Sequence, residues 1–444
     1  MNMLKHRKAT ALTALLLSIG LLGGCTSGGK AGDGKGAAKD AAPKEAGIQL
    51  DLQTPVKLLF YDETNMSEEV FNERFVQPVK KQFPNVSFEV VKPGKGTYVS
   101  ELAASGIAPD LFMTTAWSFP LEINTKLIAN LDEWIVKDKL DLNGYQPAIV
   151  DTIRSFSPNG GMFALPYSNY ASALYYNKDI FDKFGIPYPK DGMTYEEAIA
   201  LGKQVTRMDG GVQYSGFFPG NYSFTYALFK KGFVDVPNKK VSFNNPEMKQ
   251  TFELLKSGFS TQGMEYMDYT AALNKFYKDK TLAMMPYHFD SGRLEAETKA
   301  GNVFNWELAQ APLHQGYNRN GVPTMLAMSS QTKHAALVYK IIAHLSASVE
   351  YQTFLSERGV LPVIKNDEVV KKFASKLGSL QGKRLDWMAK MKPQLLYGPS
   401  EYDRVPDKYI TQALKDVITG ASDINTALNK AEEQSNKDLQ AQIK

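Results

Sequence analysis

Two short polar segments follow strand-like runs and carry the side chains best suited to recognition chemistry. Asp62-Glu63-Thr64-Asn65 comes after the apolar run Val56 to Tyr61, and Thr114-Thr115-Ala116-Trp117 after Leu111-Phe112-Met113. Carboxylates, hydroxyls and an amide can pair the polar groups of a ligand, while an indole offers a flat apolar surface. A loop bounded by Gly220 adds Asn221 and Tyr222. Covalent or phosphate chemistry finds no comparable support. The chain has no GxSxG, no P-loop and no HExxH. Beyond the first 24 residues four histidines remain, His288, His314, His334 and His344. The last two are ten apart in a helical stretch and do not share a face, so neither a metal nor a cofactor is expected. Two acids that meet only in space would still permit glycoside hydrolysis. A surface glycan-cleaving enzyme is therefore the alternative to a binder.

The remaining reactive side chain is Cys25, the single cysteine in 444 residues. It cannot form an internal disulfide or a paired metal or redox site. Lys5, Arg7 and Lys8 precede an apolar stretch, Ala11 to Leu22, that is too short to span a bilayer of about 30 Å. The stretch ends in Leu22-Gly23-Gly24-Cys25, which resembles a bacterial lipobox. Residues 1–24 read as a lipoprotein signal peptide, with Cys25 as the lipidated N-terminus facing outward. Residues 26–47 hold six Gly, six Ala and four Lys, without an aromatic residue, leucine, isoleucine or valine. They cannot bury enough apolar surface to fold, and 25–53 read as a lipidated cysteine and flexible tether.

Removing the first 24 residues takes three basic side chains from the formal +4 and leaves about +1. That balance gives no basic field for nucleic acid, and net charge does not favour phosphate ligands. With 43% apolar residues, the remaining length can bury a large core and divide into two domains.

The elements that must position these groups alternate. Val56–Tyr61, Val86/Phe88/Val90 and Leu111–Met113 read as strands. Between them lie a helix capped by Ser67, which Pro78 should bend or end, and a short helix ending at Gly106. This βαβαβ order implies a mainly parallel sheet, with ligands beyond the carboxyl ends of its strands. A second α/β unit starts with Ala173–Tyr176 and the capping box Thr194-Tyr195-Glu196-Glu197. Two amphipathic helices close the chain, with Gly420 between them.

From Val56 onward the sequence resembles the family 1 extracellular solute-binding proteins, the group containing the maltose-binding protein. The match is carried, in order, by Ala108-Pro109-Asp110-Leu111, Gly161-Met162-Phe163-Ala164-Leu165-Pro166-Tyr167, Leu174–Phe181, Gly185-Ile186-Pro187, Leu282-Ala283-Met284, Ala311-Pro312-Leu313, Met325–Ser329 and Gly359-Val360-Leu361-Pro362-Val363. Two departures bear on the ligand: Lys278-Asp279-Lys280-Thr281 replaces the usual Gly-Lys, and Met285-Pro286-Tyr287-His288 stands where a stacking tryptophan often follows.

The resemblance implies an α/β, two-lobed periplasmic-binding-protein-like fold of type II, each lobe a mainly parallel sheet flanked by helices. It places 54–167 plus 312–360 in an N-lobe and 168–311 plus 361–444 in a C-lobe. Solute, a carbohydrate or oligosaccharide, is captured between them and handed to ABC transporter permease subunits; a non-sugar solute is the alternative. The protein is read as a monomer. Sugar recognition needs aromatic platforms and partners for hydroxyls. The candidates are Asp62, Glu63, Trp117, Asn221 and Tyr222, with Tyr167, Asn169 and Tyr170 at the first crossover and Tyr287, His288 and Asp290 after the second lobe's strand. Trp117 and Tyr287 are expected to face each other. Trp134, Trp306, Tyr175 and Tyr176 read as core, whereas Trp387 and Tyr402 read equally as core or cleft.

Overall fold

A computed structural model describes residues 48, 50–157, 159–222, 232–302, 304–314, 322–389 and 400–442. The expected signal peptide and Cys25 lie outside the described residues, as does most of the tether. Residues 50–53, expected in the tether, make contacts with the folded part. Leu50 packs on the first core, and the Asn85 amide donates to the carbonyls of Leu52 and Gln53 at 2.8 and 2.9 Å.

Two five-stranded sheets organise the remainder. The first combines β1 (Val56–Asp62), β2 (Val86–Val91), β3 (Leu111–Thr115), β4 (Leu165–Tyr170) and β12 (Val322–Met328) in the order β2-β1-β3-β12-β4. Four strands run one way, and β12 lies antiparallel to both neighbours. The second combines β5 (Ser172–Asn177), β6 (Arg207–Asp209), β7 (Val212–Phe217), β10 (Leu282–His288) and β11 (Trp306–Gln310) in the order β11-β5-β10-β7-β6. Here β10 and β7 pair in parallel while β5 and β6 run against their neighbours. A small ribbon pairs β8 (Val234–Asp235) with β9 (Lys240–Val241).

Local signals account for most elements. Ser67 accepts a hydrogen bond from the Val70 amide and starts the first helix. That helix does not stop at Pro78. It widens to a π turn over Asn72–Val76 and resumes through Gln82, so the proline sits in the first turn of a new segment, where no donor is missed. Thr194 and Glu197 close the capping box at the helix Tyr195–Val205. The final helices are Asp407–Ile418 and Ile424–Gln442, with Gly420 left-handed at φ 78° between them.

The crossings fall later than expected. β4 stays in the first sheet to Tyr170 and β5 enters the second at Ser172, so the first crossing is at Ala171, not at 167–168. Val363, Ile364 and Val369 still pack in the first core, whereas Ala374 and Leu380 pack in the second lobe. The third crossing therefore lies beyond Val369 and not at 359–361, because apolar side chains after Leu361 continue to face the first sheet. Among the described residues, no helix is long and apolar enough to cross a membrane.

Candidate functional site

Strand ends from both lobes and two connecting segments enclose a cavity of roughly 380 Å³. The first lobe contributes Thr64 from the loop after β1 and Arg74 from the π turn. The crossing strand contributes Asn169 and Tyr170, and the second lobe His288 and Asp290 after β10. The walls from Thr64, from Asn169 and Tyr170 and from His288 lie at strand termini, where carbonyl and amide groups are released from the ladder and the chain can turn inward.

The polar geometry of the second-lobe wall is specific. Asp290 caps the helix Ser291–Lys299, accepting from the Arg293 amide at 2.9 Å. Burial alone would raise its pKa, but the His288 ring, that amide and the Arg293 guanidinium together hold it below the ordinary carboxylate value. His288 Nε2 lies 3.7 Å from Asp290, and its ring meets Tyr170 edge-on at 6.0 Å. The Asn169 amide nitrogen of the backbone donates to the Leu361 carbonyl at 3.0 Å, fixing the crossing strand, while its side-chain Oδ1 is buried without a hydrogen-bond partner.

Beyond this cavity the lobes also touch. The Ser118 hydroxyl donates to Glu63 Oε1, and Arg404 Nη2 donates to Ser118 Oγ at 2.7 Å and lies 3.4 Å from Glu63. Trp117, half-buried, packs against the second-lobe cluster containing Tyr222 and Val405. Behind this contact Glu122 is fully buried in the helix Phe119–Asn124, and neither of its oxygens closes a hydrogen bond. Burial is the main cause that lifts its pKa to about 8; the Thr114 hydroxyl and Arg404 oppose the rise, and Glu63 adds to it.

Of the expected residues, Asn169, Tyr170, His288 and Asp290 come together at the cavity, and Glu63 lies at the lobe contact. Asn221 is half-buried in the loop before Tyr222. Three others are structural. Asp62 is fully buried; it accepts from the Thr64 amide and hydroxyl through Oδ1 and from the Met66 amide through Oδ2, which shapes the loop. Tyr167 stacks on Phe75 at 5.2 Å inside the first core, and burial pushes its hydroxyl up to about 12. Tyr222 is buried and donates to Asp407. Trp117 and Tyr287 occupy separate clusters. Tyr287 packs beside Tyr269 at 5.5 Å and Tyr175 at 6.2 Å, its side of β10 being turned toward the second core. Trp306, Tyr175, Tyr176 and Trp387 are buried, Trp134 stacks on Tyr339, and Tyr402 lies partly buried beside Trp117's cluster. Arg74, Ser118, Glu122 and Arg404 were not anticipated. Ser118 adjoins the indole in sequence and Arg404 lies two residues after Tyr402, but nothing local distinguishes either from a solvated side chain.

Comparison with known proteins places this geometry in context. Residues 74–376 match the family described as bacterial extracellular solute-binding protein. The sn-glycerol-3-phosphate-binding periplasmic protein of Brucella abortus (strain 2308) is 24% identical over 197 residues, which span 42% of this chain and only 44% of that one. Its counterpart in Rhizobium meliloti (strain 1021) is 24% identical over 405 residues, covering 84% of this chain and 92% of the relative. Among solved structures, an ABC substrate-binding protein from Listeria monocytogenes in complex with cycloalternan superimposes with a TM-score of 0.68 at 17% identity, over 87% of this chain and 99% of the other. The sugar-binding protein MalE from Xanthomonas citri gives 0.66 at 16% identity, over 87% and 98%. These likenesses show the two-lobed fold.

Proposed function

This chain belongs to the bacterial extracellular solute-binding protein family, and from that membership we propose that it captures a carbohydrate or related polyhydroxylated solute between its lobes for an ABC importer. The single observation that carries the reading is the cavity walled by both lobes and by the crossing strand. A solute there touches each lobe, so closure adds contacts that the open form lacks, and binding shifts the hinge equilibrium. Tyr170 and the His288 ring supply flat faces; Asn169, Thr64 and Asp290 pair hydroxyls. The role is capture without turnover. The named relatives include binders of a sugar and of a phosphorylated polyol, both rich in hydroxyls.

The test is a thermal-shift screen of the purified protein against maltose, cycloalternan, mannitol and sn-glycerol 3-phosphate. A solute at 100 times its dissociation constant should add about 2.7 kcal/mol to stability. Tyr170→Ala and His288→Ala should each weaken that solute by about 1–3 kcal/mol, tenfold to a hundredfold, with melting of the free protein nearly unchanged. Wild-type affinity in both variants would remove the cavity from consideration.

We also propose that the protein is held outside the cell by lipid on Cys25, behind the tether read from residues 26–47. Cys25→Ala should leave the precursor uncleaved and unlabelled by a fatty-acid probe; normal labelling of that variant refutes the anchor.

A further inference from the structure

We propose that the solute taken by this cleft carries an oxyanion, a carboxylate or a phosphate, and that Arg74 receives it; the inference rests on the cavity being the solute site. The argument is one of unpaired groups on the cavity wall. The acids on and beside the cavity wall are engaged elsewhere. Glu73, beside Arg74, is 2.6 Å from Arg358. Asp290, the one acid on the cavity wall, is shared between His288 and Arg293, at 3.7 and 3.8 Å, and caps its helix. Asp62, whose charge reaches the same Tyr167 as that of Arg74, is committed to three hydrogen bonds from Thr64 and Met66.

Arg74 has no such match. Among the described residues it forms no ion pair, and its Nε is buried without a hydrogen-bond partner. Its electrostatic neighbours include the hydroxyls of Tyr167 and Tyr351, which burial keeps protonated. They bring no negative charge to it. Arg74 is half-buried on the cavity wall with its Nε closed off and unpartnered, and its planar fork fits two oxygens of a carboxylate or phosphate. Asn169 narrows the ligand further. Its Oδ1 is buried without a partner on the same cavity, so it requires a donor beside the anion. One molecule meets both demands if it joins an oxyanion to hydroxyl groups: a sugar acid or a phosphorylated polyol. The near-neutral charge of the whole chain does not oppose this, because the field that matters is set within a few ångströms of Arg74.

Matched probes that differ by the oxyanion alone test the assignment: glucose against glucuronate for a carboxylate, and glycerol against sn-glycerol 3-phosphate for a phosphate. Binding to the purified protein is measured by titration calorimetry. At least one charged probe is expected to bind tenfold or more tightly than its neutral counterpart. Arg74→Gln should abolish that preference and Arg74→Lys should retain part of it, while the ligand-free melting temperature of Arg74→Gln stays level or rises. Equal binding of both members of each pair overturns the assignment, as does an unchanged preference in Arg74→Gln or the failure of every charged probe. Tyr170→Ala separates this from the cleft reading. If it weakens a neutral solute found in the screen, the cleft stands even though the oxyanion does not.

Discussion

Gly216→Ala is expected to destabilise the second lobe by about 3 kcal/mol or more, the upper end of overpacking effects. Gly216 lies on β7 against Gly202 of the helix Tyr195–Val205. A Cβ there would sit 1.8 Å from the Gly202 carbonyl oxygen and 2.5 Å from its carbonyl carbon. These are backbone atoms, so no rotamer change relieves the clash and the helix must leave the sheet. That movement also strains the polar link across the contact. The Gly216 amide donates to Thr206 Oγ1 at 2.9 Å, and the same hydroxyl donates to the Gly202 carbonyl at 2.9 Å. Gly144→Ala is the control, since a Cβ at Gly144 meets nothing within 4 Å. Thermal melts should separate the two by roughly 6 °C or more. Similar melting of both variants would show that helix and sheet are not held at this distance by the two glycines.

The second large effect is set by pH. Glu122 ionises at its ordinary value of 4.5 when unfolded and at about 8 in the folded protein, chiefly because burial disfavours the charged form. Between those values the native state holds a proton that the unfolded state has lost. Stability from this group is therefore complete below about pH 4.5 and falls by about 1.4 kcal/mol per unit as pH rises toward 8. Glu122→Gln keeps the shape of the neutral carboxyl and cannot ionise. Relative to the wild type it should gain little near pH 4.5 and several kcal/mol near pH 8, as read from urea unfolding at each pH. Parallel pH profiles for the two proteins would disprove the buried neutral acid.

The strands and caps were visible in the sequence because their causes are local. Alternation at Val86, Phe88 and Val90, the Ser67 cap and the Thr194–Glu197 box each act over a few residues. The crossing points were less visible. Val363 and Val369 are apolar like residues of either lobe, and which core receives them is decided by contacts far away in sequence. The same limit applied to the site. Asp62 and Glu63 are adjacent acids after one strand, yet the first folds back on its own loop and the second reaches the other lobe. Tyr167 and Tyr170 share a strand, and only the pleat sends one into the core. Arg74 was unmarked because an unpaired cation is recognised by what surrounds it, and those neighbours come from four separate segments.

The position of β12 has a consequence for how the protein is made. It is the strand between β3 and β4 in the first sheet, pairing Thr324 with Thr115 and Leu326 with Leu165, yet it follows every strand of the second sheet in the chain. A ribosome that has delivered residues 1–321 has completed neither lobe. The first sheet lacks the strand that joins β4 to the rest, and the second lobe lacks its closing helices. The molecule therefore has two structural halves but no early folding half, and its high contact order favours slow, late assembly. Compact structure in either lobe therefore waits until nearly all of the chain has been made.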